Sequence, residues 1–271
     1  MTSPDFILAA RYAHALNGLV SASEGWSDVV DLDPTGRTSD RLAWTWSEER
    51  LTRSIDHVDS WLIDLLGFED PDRLDPALDV DPASWACVLR DCVWDGALVC
   101  WVLGSELPAT RLSRVLTLEL SYAESLRRAQ ASAGLSTASA ALRVSRIRTL
   151  AQAHGLDLHG QIPYRRILEH AGGLSAVGSS LRSVHLLLDS ITDGSRDALT
   201  SLGAIAIRDR HASLAPLRAG DPSAGEPSAG RGFLVAVAAT TSLISEATRL
   251  YERHETGAAR NLTAVAHRTP A

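Results

Sequence analysis

The stretch from Ser84 to Leu103, SWACVLRDCVWDGALVCWVL, is apolar on every side of a helical wheel and constrains the fold more than any other segment. Pro82 and Gly104 flank it and are typical of the first turn and the end of a helix. A helix of this length spans roughly 30 Å, the diameter of a small domain. Because the helix has no polar face, we expect other helices to pack around it at the centre of the protein.

Three charged residues interrupt this apolar segment, namely Arg90, Asp91 and Asp95. Each would cost about 2.5 to 3.5 kcal/mol near the centre of a bilayer, so the segment is predicted to be a core helix and not a membrane span. Asp91 and Asp95 lie one helical turn apart, and Arg90 points away from both, so we expect other helices to supply their partners. A structural ion-pair network and a catalytic or magnesium-binding carboxylate pair both fit this pattern.

Apolar residues recur at helical spacing through most of the remaining chain. Further helices are predicted at 4–20, 45–67, 108–134, 137–154, 163–171, 177–191, 195–210 and 233–257. Residues 21–43 lack a sustained period and are expected to form a loop. The sequence therefore predicts an all-α fold, a single bundle of seven to nine helices around the buried helix 84–103.

The domain organisation follows from where this periodicity stops. We assign residues 1–211 to the helical core. The repeat AGDPS and AGEPS is typical of a flexible linker, which we place at 212–232. Residues 233–257 are predicted to form a helix that packs back on the core, followed by a loose tail at 258–271.

Composition narrows the possible partners. The net charge of −7 and the isoelectric point near 5.7 argue against binding to duplex DNA. All three cysteines lie on the central helix, at spacings of five and eight that do not allow a disulfide, which favours a reducing compartment. The amino terminus has no basic stretch typical of a signal peptide. We therefore expect a cytoplasmic protein without membrane contact.

No motif of high specificity identifies a chemistry or a cofactor. The chain contains no P-loop, GxGxxG, HExxH, GxSxG or CxxC motif. A calcium-binding EF-hand requires a glycine at the sixth position of its loop and a glutamate at the twelfth, and the acidic segment 69–82 has neither at those positions. A helix-turn-helix beginning at Thr149 would lack a recognition helix with exposed polar residues. The sequence therefore does not identify a cofactor.

A second polar group lies on the predicted helix 177–191, where His185, Asp189 and Asp193 recur every four residues. Carboxylates near a helix C-terminus oppose the helix dipole, so a partner such as Arg196, another arginine, a metal or water is expected. Asp193 could instead cap the following helix. A competing hypothesis is an enzyme or binding protein that binds a small apolar molecule with these groups. Magnesium is an optional cofactor in this hypothesis, and no residue is assigned as a metal ligand. Its ligand-binding set is Arg90, Asp91, Asp95, His185, Asp189 and Asp193.

Arg148 and His154 are separated by five residues on the predicted helix 137–154. This spacing resembles the Rx4-6H element of HEPN-domain ribonucleases. The resemblance implies a helical bundle that dimerises and cleaves RNA without a metal, with Arg148 and His154 as catalytic residues. The leading hypothesis is a HEPN-like protein that acts on or associates with RNA as a dimer, with duplex DNA excluded by the net charge. A third hypothesis is a module for protein interactions without chemistry.

A second resemblance concerns uncharacterised all-helical proteins of actinobacteria and covers roughly residues 85–190. The residues that carry it are Arg90, Asp95, Trp101, Pro108, Arg111, Arg114, the AxxHGL segment from Ala151 to Leu156, and Tyr164. It implies a helical fold and an intracellular setting. No reaction or substrate follows from it.

Overall fold

A computed structural model of the protein describes residues 4–30, 41–66, 82–158, 162–195, 197–198, 201 and 228–266. Within these ranges the chain forms eight α-helices and no strand, which confirms the predicted all-α fold. The helices are α1 (Pro4–Val30), α2 (Arg41–Leu66), α3 (Pro82–Leu103), α4 (Pro108–Ser132), α5 (Ala138–Ala153), α6 (Tyr164–Leu174), α7 (Leu181–Thr192) and α8 (Ser228–Ala266). A short 3₁₀ turn, Gly178–Ser180, precedes α7.

The central position predicted for residues 84–103 is confirmed. Helix α3 packs against α2 and α8, and also against α6 and α7. The side chains of Leu89, Leu98 and Leu103 are fully buried although they point to different sides of the helix. An apolar surface on all sides of one helix is satisfied only when neighbours cover it all round, as they do here.

Helix α8 brings the C-terminal part of the chain into the core. Phe233 contacts the rings of Trp61 and Trp85, and Tyr251 contacts those of Trp26 and Trp44. The helix begins within the segment predicted as a linker and continues through much of the predicted tail. Its last nine residues include four alanines, and alanine favours helix. Residues 212–227 of the predicted linker lie outside the described part of the chain.

Helix α1 is longer than the periodicity predicted. It continues to Val30, and α2 begins at Arg41, so the expectation of a loop was wrong for residues 21–30 and 41–43. Residues 31–40 of that segment lie outside the described part of the chain. The reason is visible in the packing, since Leu19, Ser23 and Trp26 continue the buried face at helical spacing. The buried serine interrupts the apolar pattern without interrupting the helix.

Helices α4 and α5 form a second, smaller core. Leu112, Leu116 and Leu120 of α4 pack with Val144 and Ile147 of α5. Beyond this contact nearly all side chains from Ser125 to Ser139 are exposed. The two helices therefore form an arm that projects from the main bundle, and we call residues 125–156 the α4–α5 arm.

Among the described residues, one segment is long and apolar enough to cross a membrane. It is Gly232–Arg253 of α8, and 61% of its most apolar window is buried inside the protein. The core helix of a water-soluble bundle has the same length and composition, so this segment is weak evidence for a membrane.

Candidate functional site

A small cleft lies between α2 and α3, and we call it the Trp94 cleft. Its volume is about 210 Å³, and it opens to solvent. The lining side chains are Arg50, Arg53, Ser54 and His57 of α2 and Asp91, Trp94 and Asp95 of α3. Residues three, four and seven positions apart share one face of a helix, so each helix presents these groups to the other.

Asp95 is the buried acid of the cleft. Its Oδ1 atom accepts a hydrogen bond from Arg50 Nε at 2.6 Å, and its Oδ2 atom accepts one from Ser54 Oγ at 2.5 Å. Burial raises the pKa of Asp95, and the Arg50 guanidinium and the Ser54 hydroxyl counteract this rise. The prediction that another helix supplies a partner holds for Asp95.

Arg50 connects the cleft to helix α4. Its NH2 atom donates to the hydroxyl of Tyr122 at 3.1 Å, and its guanidinium lies 4.8 Å from the centre of the Tyr122 ring. The guanidinium also lies 5.8 Å from the centre of the Trp46 ring. Arg50 is therefore held by a carboxylate, a phenol and two aromatic faces, and its position is set by three helices.

Trp94 connects the cleft to α6 and α7. Its ring stacks on Tyr164 with the centres 5.0 Å apart, and the His185 ring lies 5.6 Å from it. The hydroxyl of Tyr164 and Nδ1 of His185 form a hydrogen bond of 2.6 Å. Burial lowers the pKa of His185 to about 4, so this histidine is neutral at pH 7.

Arg90 joins two of the predicted acids. It donates to Asp91 Oδ1 at 2.9 and 3.0 Å, and its NH1 atom lies 3.4 Å from Asp189 Oδ1. The expectation that Arg90 would not pair with its neighbour was therefore wrong, because its long side chain folds back along the helix surface. Asp91 is also not a core acid, since 51% of its side chain is exposed.

The predicted ligand-binding set is only partly assembled. Arg90, Asp91, His185 and Asp189 come together beside Trp94. Asp193 is exposed at the C-terminal end of α7, where its backbone N–H caps the helix by donating to the carbonyl of Asp189. Among the described residues, no group of three or more acids, histidines and cysteines has a geometry that could hold a metal ion. Magnesium binding by this set therefore gains no support.

The two residues predicted to act on RNA lie on the α4–α5 arm. Arg148 is exposed and donates from NH2 to Glu124 Oε1 at 2.7 Å. His154 caps the C-terminal end of α5 and is exposed. Neither side chain lines the Trp94 cleft.

Sequence reasoning missed Arg50, Ser54 and Tyr122. Nothing in the local sequence distinguishes Arg50 and Ser54 of α2 from their exposed neighbours Arg53 and His57. A usable signal was present, because a buried acid on α3 requires an arginine within reach. Several arginines met that requirement, and the sequence did not distinguish among them.

Fold and site together define an all-α helical bundle with a small polar cleft beside its central helix. The chain matches no family model, no curated protein and no solved structure. Function has to be inferred from the chemistry of the cleft.

Proposed function

We propose that the protein binds a small anionic molecule in the Trp94 cleft. The charges of the lining residues carry this proposal. Arg50 is paired with Asp95, and Arg90 is paired with Asp91 and lies 3.4 Å from Asp189. Arg53 forms no ion pair with any residue that the structure describes, and it lines the cleft mouth in an exposed position. An exposed guanidinium at the mouth that has no ion-pair partner in the described part of the chain favours a carboxylate or a phosphate group on the ligand.

The dimensions of the cleft limit the ligand. A volume of about 210 Å³ is smaller than the range of about 300 to 1,000 Å³ found for drug-sized ligands. The half-buried indole of Trp94 is the one large apolar surface among the lining residues, and its stacking on Tyr164 holds it in place. A ligand with a short apolar part and one anionic group fits these features.

The cleft is better suited to binding than to proton transfer. Both oxygens of Asp95 already accept hydrogen bonds, and neutral His185 is occupied by Tyr164 on the far side of Trp94. Side chains fixed in this way form a rigid wall that a ligand can meet without a large ordering cost.

A thermal unfolding screen tests the proposal. Wild-type protein is heated with a panel of small carboxylates and small phosphate esters. We expect at least one to raise the unfolding temperature, because a ligand at a hundred times its Kd stabilises the folded state by about 2.7 kcal/mol. In Arg53→Ala the rise should be lost, since the anchoring charge is gone.

Arg41→Ala is the matched control, because Arg41 is an exposed arginine on the same helix and does not line the cleft. It should respond to the ligand as the wild type does. A panel without any stabilising member, or an Arg53→Ala variant that responds fully, would contradict the proposal.

Action on RNA through Arg148 and His154 stays a prediction with less geometric support, because these exposed residues do not line a cleft and Arg148 is already bound to Glu124. Its test is an assay of the purified protein with single-stranded RNA. Loss of cleavage in both Arg148→Ala and His154→Ala would support it, and unchanged cleavage would exclude these residues.

A further inference from the structure

The α4–α5 arm has an unusual charge for this protein. Residues 125–156 contain five arginines and no acid, so the arm carries a net charge of +5. The whole chain carries −7, so the remaining residues carry −12. Two of the arginines, Arg143 and Arg148, are paired with Glu119 and Glu124 at the base of the arm. Arg146 is exposed and forms no ion pair among the described residues.

The arm also exposes apolar side chains. Leu126, Leu135, Leu142 and Leu150 are half of the large hydrophobic residues found exposed in the described part of the chain. On α5, Leu142, Arg146 and Leu150 follow one another at intervals of four residues and therefore form one row on the outer surface. Exposed leucines grouped in this way are typical of a surface that binds another protein.

A matching surface lies on helix α2. Leu42, Glu49, Asp56 and Ile63 are all exposed and follow one another at intervals of seven residues. Positions seven apart drift by only about 20° on a straight helix, so these residues form one stripe. We call it the α2 outer stripe. At 1.5 Å per residue, its apolar ends lie roughly 30 Å apart, whereas Leu142 and Leu150 lie roughly 12 Å apart. The row therefore matches one end of the stripe, where Asp56 and Ile63 lie roughly 10 Å apart, so that Arg146 meets Asp56 and one leucine meets Ile63.

We propose that the α5 row of one copy of this protein docks on the α2 outer stripe of a second copy. In a two-fold dimer the same contact forms twice, which buries leucines of both arms and pairs Arg146 with Asp56 of the other copy. The arm contains no phenylalanine, tyrosine or tryptophan, and His154 at its end has its one imidazole ring. Surfaces that bind single-stranded RNA stack the bases on aromatic rings, so a protein partner suits the arm better.

A charge-exchange experiment tests this contact in the full-length chain. Sedimentation velocity at physiological salt should show a dimer for the wild type at micromolar concentration. Arg146→Glu and, separately, Asp56→Arg should each raise the dimer dissociation constant by at least about tenfold, because each places like charges together. Mixing the two variants should restore a dimer, since opposite charges then meet at both contacts, one with the charges exchanged and the other as in the wild type.

Arg166→Glu is the control, because Arg166 is an exposed arginine of α6 outside both surfaces. It should dimerise as the wild type does. A wild type that remains monomeric, or variants that dimerise unchanged, would overturn the proposal. A monomer that binds single-stranded RNA more weakly after Arg146→Glu would overturn it in favour of a nucleic acid partner. None of these outcomes depends on ligand binding at Arg53.

Discussion

Asp91 and Asp95 are the same residue type, one turn apart on one helix, and they have different environments. Asp95 is 12% exposed at its side chain and is held by Arg50 and Ser54. Asp91 is half exposed and is paired with Arg90. An ion pair that water reaches contributes little, whereas removing one partner of a buried pair leaves a charge without compensation.

Replacing Asp95 with alanine should lower the free energy of unfolding by about 3 kcal/mol, because Arg50 would keep its charge with little access to water. Asp91→Ala should cost less than about 1 kcal/mol, since its pair is exposed. Urea unfolding of both variants measures the difference. Equal losses would mean that the Arg50–Asp95 pair has no structural role.

His185 should make stability depend on pH. Burial lowers its pKa to about 4 from the ordinary value of 6.5, so the unfolded chain binds the proton more readily between these values. The neutral ring contributes fully to the free energy of unfolding above pH 6.5, and this contribution is lost as the pH falls to about 4. A shift of this size corresponds to roughly 3 kcal/mol.

Urea unfolding at pH 7 and at pH 4.5 measures this effect. His185→Gln should lose less stability than the wild type on acidification, because its side chain does not titrate. His154→Gln is the control. It should lose as much stability between pH 7 and pH 4.5 as the wild type does, since His154 is exposed. An unchanged pH dependence in His185→Gln would show that the ring is not the titrating group.

At the scale of the elements, helices α3 and α8 approach each other closely at Gly96. A β-carbon added to Gly96 would lie 3.1 Å from the β-carbon of Leu243, which is too close for an undisturbed contact. The close packing of these two helices therefore depends on a residue without a side chain, in the middle of the buried helix.

Gly96→Ala should destabilise the protein by about 1 to 3 kcal/mol, because the helices have to move apart. Gly25 of α1 is the control, since a β-carbon there would have no neighbour within 4 Å. Gly25→Ala should be neutral or stabilising by up to about 1 kcal/mol, because alanine favours the helix. Chemical denaturation of both variants provides the comparison, and a stabilised Gly96→Ala would contradict the close approach.

The whole molecule consists of a main core around α3 and a smaller one between α4 and α5. The smaller core buries few residues, and the arm beyond it has mostly exposed side chains. Local stability follows the number of buried apolar contacts, so the two parts should open with different free energies.

Amide hydrogen exchange should therefore be faster in α5 than in α3. Mass spectrometry measures the exchange rates of both helices in one experiment, and the protected amides of α3 serve as the internal reference. Equal protection would show that the arm and the main bundle open together. If the proposed dimer forms, the amides of α5 should exchange more slowly at protein concentrations where the dimer is populated.

Much of the architecture was predictable from local patterns. The all-α class and the central helix followed from apolar spacing, proline and glycine, which act over a few residues. The end of α1 was misplaced because the buried Ser23 breaks the apolar pattern while the helix continues to Trp26. Where a polar residue is buried by distant neighbours, spacing alone does not indicate it.

The sequence by itself determined which segments are helical and which of them must be buried on all sides, because periodicity is a property of neighbouring residues. Only the tertiary structure decided which arginine meets Asp95. The contacts that build the cleft join residues 41, 45 and 72 positions apart, on α2, α3 and α4. Such contacts depend on how each helix is rotated and where it crosses the next, and the packing of the complete core sets both.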